Sequence, residues 1–258
     1  QEEFMKPLKP VISSLSIRTA MGYTGNINKT VYPQLVMDYY SRFRQSDDDY
    51  YRMGWIKNAP NPLLRWEKTR DMKLSLDLGM FNERLRLGAE FYSRRTYDAV
   101  SSVRVPYTTG FSDQVFNTST LENMGMEFSL SAKVLKTKDW SASLSTNISY
   151  NRNKLVKYPP PPSGLANGQY QGYPLGSIFG GRITGIDEQT GLYTFQRRPG
   201  AVFNTVNDYR NANNYLYYLG TSNAPTTGGY SINVSYKDFS LNLGGSFSLG
   251  GKILNDIT

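Results

Sequence analysis

The stretch that most limits what this chain can become runs from Met72 to Phe91. Apolar side chains stand at 72, 74, 76, 78 and 80 and again at 85, 87, 89 and 91, with Lys73, Ser75, Asp77, Arg86 and Glu90 in the gaps. A helix would need apolar positions three and four apart, whereas a period of two places alternate side chains on one side of an extended strand. A two-residue turn at Asn82 and Glu83 sets Met80 against Leu85, Leu78 against Leu87, Leu76 against Ala89 and Leu74 against Phe91. All these apolar pairs then share one face, and a slip of one residue would reverse every one. Asn-Glu is not a favoured hairpin turn, so parity rather than turn chemistry carries the reading.

The same construction recurs twice. Met126, Phe128, Leu130, Ala132 and Val134 lead through a three-residue turn at 136–138 to Trp140, Ala142, Leu144, Thr146, Ile148 and Tyr150. Tyr230, Ile232, Val234 and Tyr236 reach a two-residue turn at Lys237 and Asp238, and Phe239, Leu241, Leu243, Phe247 and Leu249 return. An earlier strand spans Val11 to Tyr23 and ends at Thr24-Gly-Asn, a turn signal. Seven strands result.

Between these strands the connections alternate short and long. Excursions cover about 25–65, 97–121 and 157–228, the last opening on Pro159 to Pro162, which cannot be helical or central in a sheet. Within it Arg182 to Ile186 and Leu192 to Gln196 form a small hairpin around Asp187 to Gly191. Compact soluble domains seldom carry loops of this length, whereas outer-membrane barrels have short turns at one end and long loops at the other. Trp140 and Tyr150 share parity ten residues apart. At ~3.3 Å per residue and a tilt of ~40° they stand ~25 Å apart along the normal, the height of a lipid-facing band.

Composition agrees with a barrel without proving one. No apolar run is long enough for a helical membrane span, and mean hydropathy is −0.50, as alternation would produce. The absence of Cys and His removes disulfides, thiolate chemistry and Ser-His-Asp catalysis. The net charge of +8 comes from scattered residues with no basic stripe, which argues against nucleic acid as a partner. Lys73, Asp77, Arg86, Glu90, Glu127, Asn147 and Asn233 fall on the polar parity and are expected to face a watery interior. The alternative left open by periodicity is a soluble carbohydrate-binding β-sandwich whose apolar faces meet in a dry core.

Several stretches then line up with a known family. Ser14-Leu-Ser-Ile-Arg18 with Gly22-Tyr-Thr-Gly-Asn26, Asn61-Pro-Leu-Leu-Arg-Trp-Glu-Lys-Thr69, Arg95-Thr-Tyr-Asp98 and Asn123-Met-Gly-Met-Glu127 follow one another in order. Tyr150-Asn-Arg-Asn-Lys154, Gly185-Ile-Asp187 and Gly250-Gly-Lys252 complete the series. From about 13 to 255 the chain resembles the SusC/RagA family of TonB-linked outer-membrane transporters. The resemblance implies an all-β fold, an antiparallel transmembrane β-barrel of 22 strands of which 1–258 is a C-terminal part with no plug domain. It implies import of oligosaccharides or peptides across the outer membrane of a Gram-negative, Bacteroidetes-type bacterium, with outer-membrane lipid around it. The implied partners are a SusD-like lipoprotein lid and the TonB complex, the latter through an N-terminal part that this chain does not show. Gln1 is followed by charged residues and no apolar signal core, so either an export signal has been removed or the chain begins within something longer. A passive porin or a siderophore-type receptor would share the sheet.

No enzymatic activity and no cofactor are expected. Asp47-Asp48-Asp49 lacks the spacing of a calcium loop, Asp187 to Gly191 reads as a turn, and Asp77 with Glu90 reads as lumen wall rather than a glycosidase pair. The candidate substrate-binding residues are Tyr170, Tyr173, Tyr215, Tyr217 and Tyr218 of the longest excursion. Exposed rings can stack on sugar faces or anchor a partner, and they can equally pack a loop against itself.

Overall fold

The computed structural model describes residues 10–27, 32–44, 49–159, 169–199 and 215–253. Thirteen strands follow in order: β1 (Ile12–Asn26), β2 (Val36–Arg44), β3 (Asp49–Asn58), β4 (Glu67–Met80), β5 (Leu85–Arg104), β6 (Asp113–Lys136), β7 (Trp140–Lys157), β8 (Ser177–Gly181), β9 (Ile183–Ile186), β10 (Tyr193–Phe195), β11 (Leu216–Thr221), β12 (Thr226–Tyr236) and β13 (Phe239–Leu249). Seven of them form one antiparallel sheet in the order β1-β4-β5-β6-β7-β12-β13. The other six make three small pairs within the excursions: β2 with β3, β8 with β11, and β9 with β10.

The register is the one parity demands. Met80 faces Leu85, Leu78 faces Leu87, Leu76 faces Ala89 and Leu74 faces Phe91. Carried across the sheet, one row reads Ile17, Leu76, Ala89, Phe128 and Ile148, and the adjacent inner row reads Ser16, Asp77, Gly88, Ser129 and Asn147. Apolar and polar residues are thus sorted to opposite faces of the long strands from the turn end up to the row of Tyr150. The central turn differs from the two-residue form: it occupies 81–84, and Phe81, Asn82 and Glu83 all take positive φ (53°, 56° and 61°). Four residues keep the same parity as two. The second turn lies at 137–139, not 136–138, and with a bulge between Lys133 and Leu135 Ala132 faces Leu144 rather than Ala142, a shift of two that keeps the parity. The third is as the spacing requires, with Tyr236 opposite Phe239.

The excursions are more ordered than loops. β1 continues to Asn26, and the 25–65 stretch holds the β2–β3 hairpin. The 97–121 stretch is mostly strand: past an irregularity between Thr96 and Ala99, β5 and β6 keep pairing until Arg104 meets Asp113, leaving 105–112 as the connection. Apolar period ends there while backbone pairing does not, because polar pairs such as Ser101 with Thr118 (2.7 Å) take over the alternation. The 157–228 stretch holds the expected hairpin, now β9–β10, and the β8–β11 pair. Asp187 closes that hairpin turn, its carboxylate accepting from the Gln189 and Thr190 amides at 2.8 and 3.2 Å, and Gly191 supplies φ 68°. Asp47 and Asp48 lie outside the described residues.

Among the described residues no second layer packs on the large sheet. Among the described residues Leu155, 3% exposed, is the one buried apolar side chain, whereas Ile17, Phe128 and Leu241 are 65%, 45% and 56% exposed. Leu76 and Leu241 lie open on the same face as half-buried Leu144, with Asp77 and Asn147 on the other. A sandwich would bury the first set against an opposing sheet, so the sandwich reading fails.

Candidate functional site

The apolar face is bounded by rings at the turn end. Trp140 and Tyr236, directly opposed across β7 and β12, stack with centroids 4.4 Å apart, beside Phe239. Ten residues higher on β7, Tyr150 lies in the row of Met126 and Leu74. Between these limits the outward residues of the sheet's interior strands carry no charge. Such a face suits hydrocarbon, and the paired strands leave their backbone groups satisfied.

The opposite face is a ladder of paired polar groups. Asn26 donates to Glu67 at 2.9 Å, and the Thr69 and Thr96 hydroxyls meet at 2.9 Å. Below them Arg94 grips Asp71 through two nitrogens at 2.6 and 3.0 Å, and Lys73 reaches Glu90 at 2.7 Å with Ser75 donating to the same carboxylate. Arg18 pairs with Asp77, and at the turn Glu83 accepts from Ser14 and Arg86 at 2.6 and 2.8 Å. The Ser14 hydroxyl and the Arg86 guanidinium hold the Glu83 carboxyl below its ordinary pKa. Asp77 and Glu90, the imagined glycosidase pair, are each neutralised by a different cation. Small residues make room: a side chain at Gly125 would collide with the Tyr92 ring and the Tyr150 carbonyl, so the tyrosine can lie across the strand and donate to Asn151 at 3.1 Å.

Above the sheet, the five candidate tyrosines separate into two groups. Tyr173, Tyr170 and Tyr218 surround Phe179: centroids are 4.8 Å for Tyr170–Phe179, 5.1 Å for Tyr173–Phe179 and 5.2 Å for Tyr173–Tyr218. Tyr217 instead lies under Arg182 (4.6 Å to the ring centroid) and donates to the Arg197 carbonyl at 2.8 Å, and Tyr215 meets Phe195 at 5.8 Å. Alternation on β11 is the reason, since neighbouring residues of a strand point to opposite sides. Burial raises the phenol pKa of Tyr170 and of Tyr158, whose hydroxyl donates to Gln169 at 2.5 Å.

The aromatic group is fastened to the wall. Beyond Tyr150 strand β7 loses β12, and the loop takes its place: the Asn151 amide donates to the Pro225 carbonyl at 2.8 Å, Leu155 to Tyr173 at 2.9 Å and Gly172 to Leu155 at 2.7 Å. Asn153 accepts from the Leu175 amide at 2.7 Å while donating to Asn123 at 2.7 Å. Between β7 and this loop lies a cleft of about 530 Å³, lined by Asn123, Asn151, Arg152, Lys154, Tyr173, Tyr218 and Asn223 among others. Phe179 and the asparagines escaped the sequence reading. Continuing β7 parity past Tyr150 would have put Asn151 and Asn153 on the inner face; nothing local to Phe179 marks it.

The Asn61-Pro segment has a similar anchoring role. Asn61, 5% exposed, donates to the Val115 carbonyl at 2.6 Å, and Asn117 donates to the carbonyls of Arg65 and Asp98 at 2.8 and 2.7 Å. Arg65 pairs with Asp98 at 2.7 Å, where the chain takes φ 55°.

A single antiparallel sheet, apolar and open outside, charged and paired inside, with turns at one end and structured loops at the other, is a piece of the wall of a transmembrane β-barrel. The model for the TonB dependent receptor-like β-barrel matches residues 23–255, and the chain belongs to that family. It is 39% identical over 163 residues to the TonB-dependent receptor SusC of Bacteroides thetaiotaomicron, covering 61% of this chain and 16% of that protein. It is 28% identical over 277 residues to the TonB-dependent receptor P3 of Formosa agariphila, covering 99% of this chain and 27% of P3. Among solved structures, that of the RagAB peptide transporter superposes with a TM-score of 0.74 at 29% identity, over 93% of this chain and 27% of the other. RagAB in its 'open-open' state gives 0.68 at 27% identity. The segment is of the SusC/RagA type, and it spans between 16% and 27% of the length of these relatives. The family is one of receptors and transporters, not of enzymes.

Proposed function

We propose that this chain forms part of the barrel wall of an outer-membrane importer in a Bacteroidetes-type bacterium. The importer takes up oligosaccharides or peptides through a TonB-driven cycle beneath a SusD-like lipoprotein lid. The observation that carries the reading is the sorting of the large sheet into a bare apolar face and a face of paired charges. The first is suited to lipid and the second to a wet passage in which Asp71, Asp77, Glu83 and Glu90 are each paired with a cation. Tyr173 and Tyr218, which line the loop cleft, are the rings assigned to substrate, whereas Tyr170, Tyr215 and Tyr217 shape the loops.

The test is uptake by cells carrying the intact protein, fed labelled oligosaccharides or peptides. Replacing Tyr173 and Tyr218 by Ala should lower uptake roughly tenfold, the scale of a lost aromatic contact, with barrel folding retained. Unchanged uptake would remove the cleft from the mechanism. Co-purification of a lipoprotein lid separates this reading from a passive porin or a siderophore-type receptor.

A further inference from the structure

The outward face does not end where its apolar band ends. Above Tyr150, Phe91, Leu74 and Thr19 the same parity continues through Arg152 and Lys154 on β7, Glu122 on β6, Arg95 on β5, and Arg70 and Lys68 on β4. Five cations share that surface with one carboxylate. Arg95 takes the carboxylate, at 3.5 Å. Among the described residues Lys68, Arg70, Arg152 and Lys154 have no ion-pair partner; Lys68 and Arg70 lie on β4 between paired β1 and β5, whereas Arg152 and Lys154 lie where β7 has left β12.

Two details show that this is not a solvated fringe. Arg70 and Arg95 are directly opposed on neighbouring strands, an arrangement that is unfavourable by itself. The Nε of each is also shut off from solvent with no hydrogen-bond partner in the protein. Interleaved with the cations are rings: Tyr23 opposite Arg70, Tyr97 under Arg95 (5.3 Å), and Trp66, 59% exposed, laid over Gly25. Arg152 and Lys154 stand two and four residues above Tyr150, about 5 to 10 Å higher along the normal. That is headgroup depth. The turn end offers no counterpart, its outward residues being Leu135, Trp140, Tyr236 and Phe239.

We propose that this belt, through Lys68, Arg70 and Arg95, binds the phosphate groups of anionic lipids in the leaflet on the loop side, an annular lipid site on strands that do not border the loop cleft. It rests on the outward orientation of the apolar face and not on the imported solute. Continuity with the lipid-facing band selects a membrane lipid over a soluble anion, and the excess of cations selects a net-negative headgroup over a zwitterionic one.

The experiment is native mass spectrometry of the intact protein in detergent with phosphatidic acid and phosphatidylcholine of equal chain length. The wild type should retain phosphatidic acid in preference, and Lys68→Gln with Arg70→Gln should reduce that preference roughly fivefold or more. Lys138→Gln, in a turn at the other end, should leave it unchanged. Should the double variant fail to show heat-modifiable migration, the barrel's folding signature, Lys68→Gln alone gives the same reading with a smaller change. Equal retention of the two lipids, an unchanged preference in folded variants, or loss of the preference in millimolar inorganic phosphate would overturn the assignment. Loss of transport with the preference intact would count against the proposed function alone.

Discussion

The two faces of this sheet are made from the same strands, yet they treat charge in opposite ways. Inside, Asp71, Asp77, Glu83 and Glu90 each have a cation of their own, and Ser14 and Ser75 add hydroxyl donors. Outside, the band is free of charge over its whole height, and the cations above it go largely unanswered by the protein. An inner wall bathed in water must hide its charges from a passing solute; an outer wall in lipid must have none until it reaches the headgroups. The difference teaches that pairing, not polarity alone, tells which side is wet.

That contrast can be broken most severely from outside. Leu76→Arg or Leu144→Arg should destabilise the barrel by about 2 to 4 kcal/mol, while Asn147→Arg, on the same strand as Leu144 and facing in, should cost little. Urea titration of folding into vesicles reads both, and equal costs would mean that the faces are assigned wrongly. Next in size is Gly125→Val on the inner wall. With Tyr92 and the Tyr150 carbonyl in the way, overpacking should cost about 1 to 3 kcal/mol, and Tyr92→Ala should restore part of it.

Smaller still is Asp71→Ala. Its partner Arg94 is half exposed, so the loss should be about 0.5 to 1 kcal/mol and should shrink in salt. A double-mutant cycle with Arg94→Ala measures the pair, and a coupling of zero would make the inner pairing ornamental to stability. The least effect belongs to Glu83. Because its folded pKa is depressed, its contribution is present above the ordinary carboxylate pKa and fades as pH falls through the lower folded value. The wild type should therefore lose slightly more stability than Glu83→Gln on acidification in that range, and parallel curves would discount the Ser14–Glu83–Arg86 contact.

How much of this could be read from the chain follows from what each feature depends on. Face assignment and register depend on parity, which Met72 to Phe91 displays without help, so the large sheet was legible. The turn at 81–84 was not, because four left-handed or turn residues and two give the same parity, and Phe81-Asn-Glu names neither. The continuation of β5 and β6 to Arg104 and Asp113 was hidden by the loss of apolar alternation, since Ser101, Thr118 and their neighbours pair through backbone and hydroxyls. Of the candidate site, the tyrosines were visible as a composition. Their division into a Phe179 group and an Arg182 group was not, because it depends on β8 meeting β11 across more than thirty intervening residues.

The length of β6 has a further consequence. Asp113–Lys136 is 24 residues, of which those from Met126 onward lie at or below the row of Tyr150. The remainder rises ~30 Å above the top of the apolar band at ~3.3 Å per residue and a ~40° slant. A parapet of that height is as tall as the membrane is thick, so a bulky molecule arriving from the medium is already enclosed on this side well before it is level with the lipid. On the proposed function, capture and passage are events at separate altitudes, and a lesion in the rim can abolish the first while leaving the bore beneath it sound.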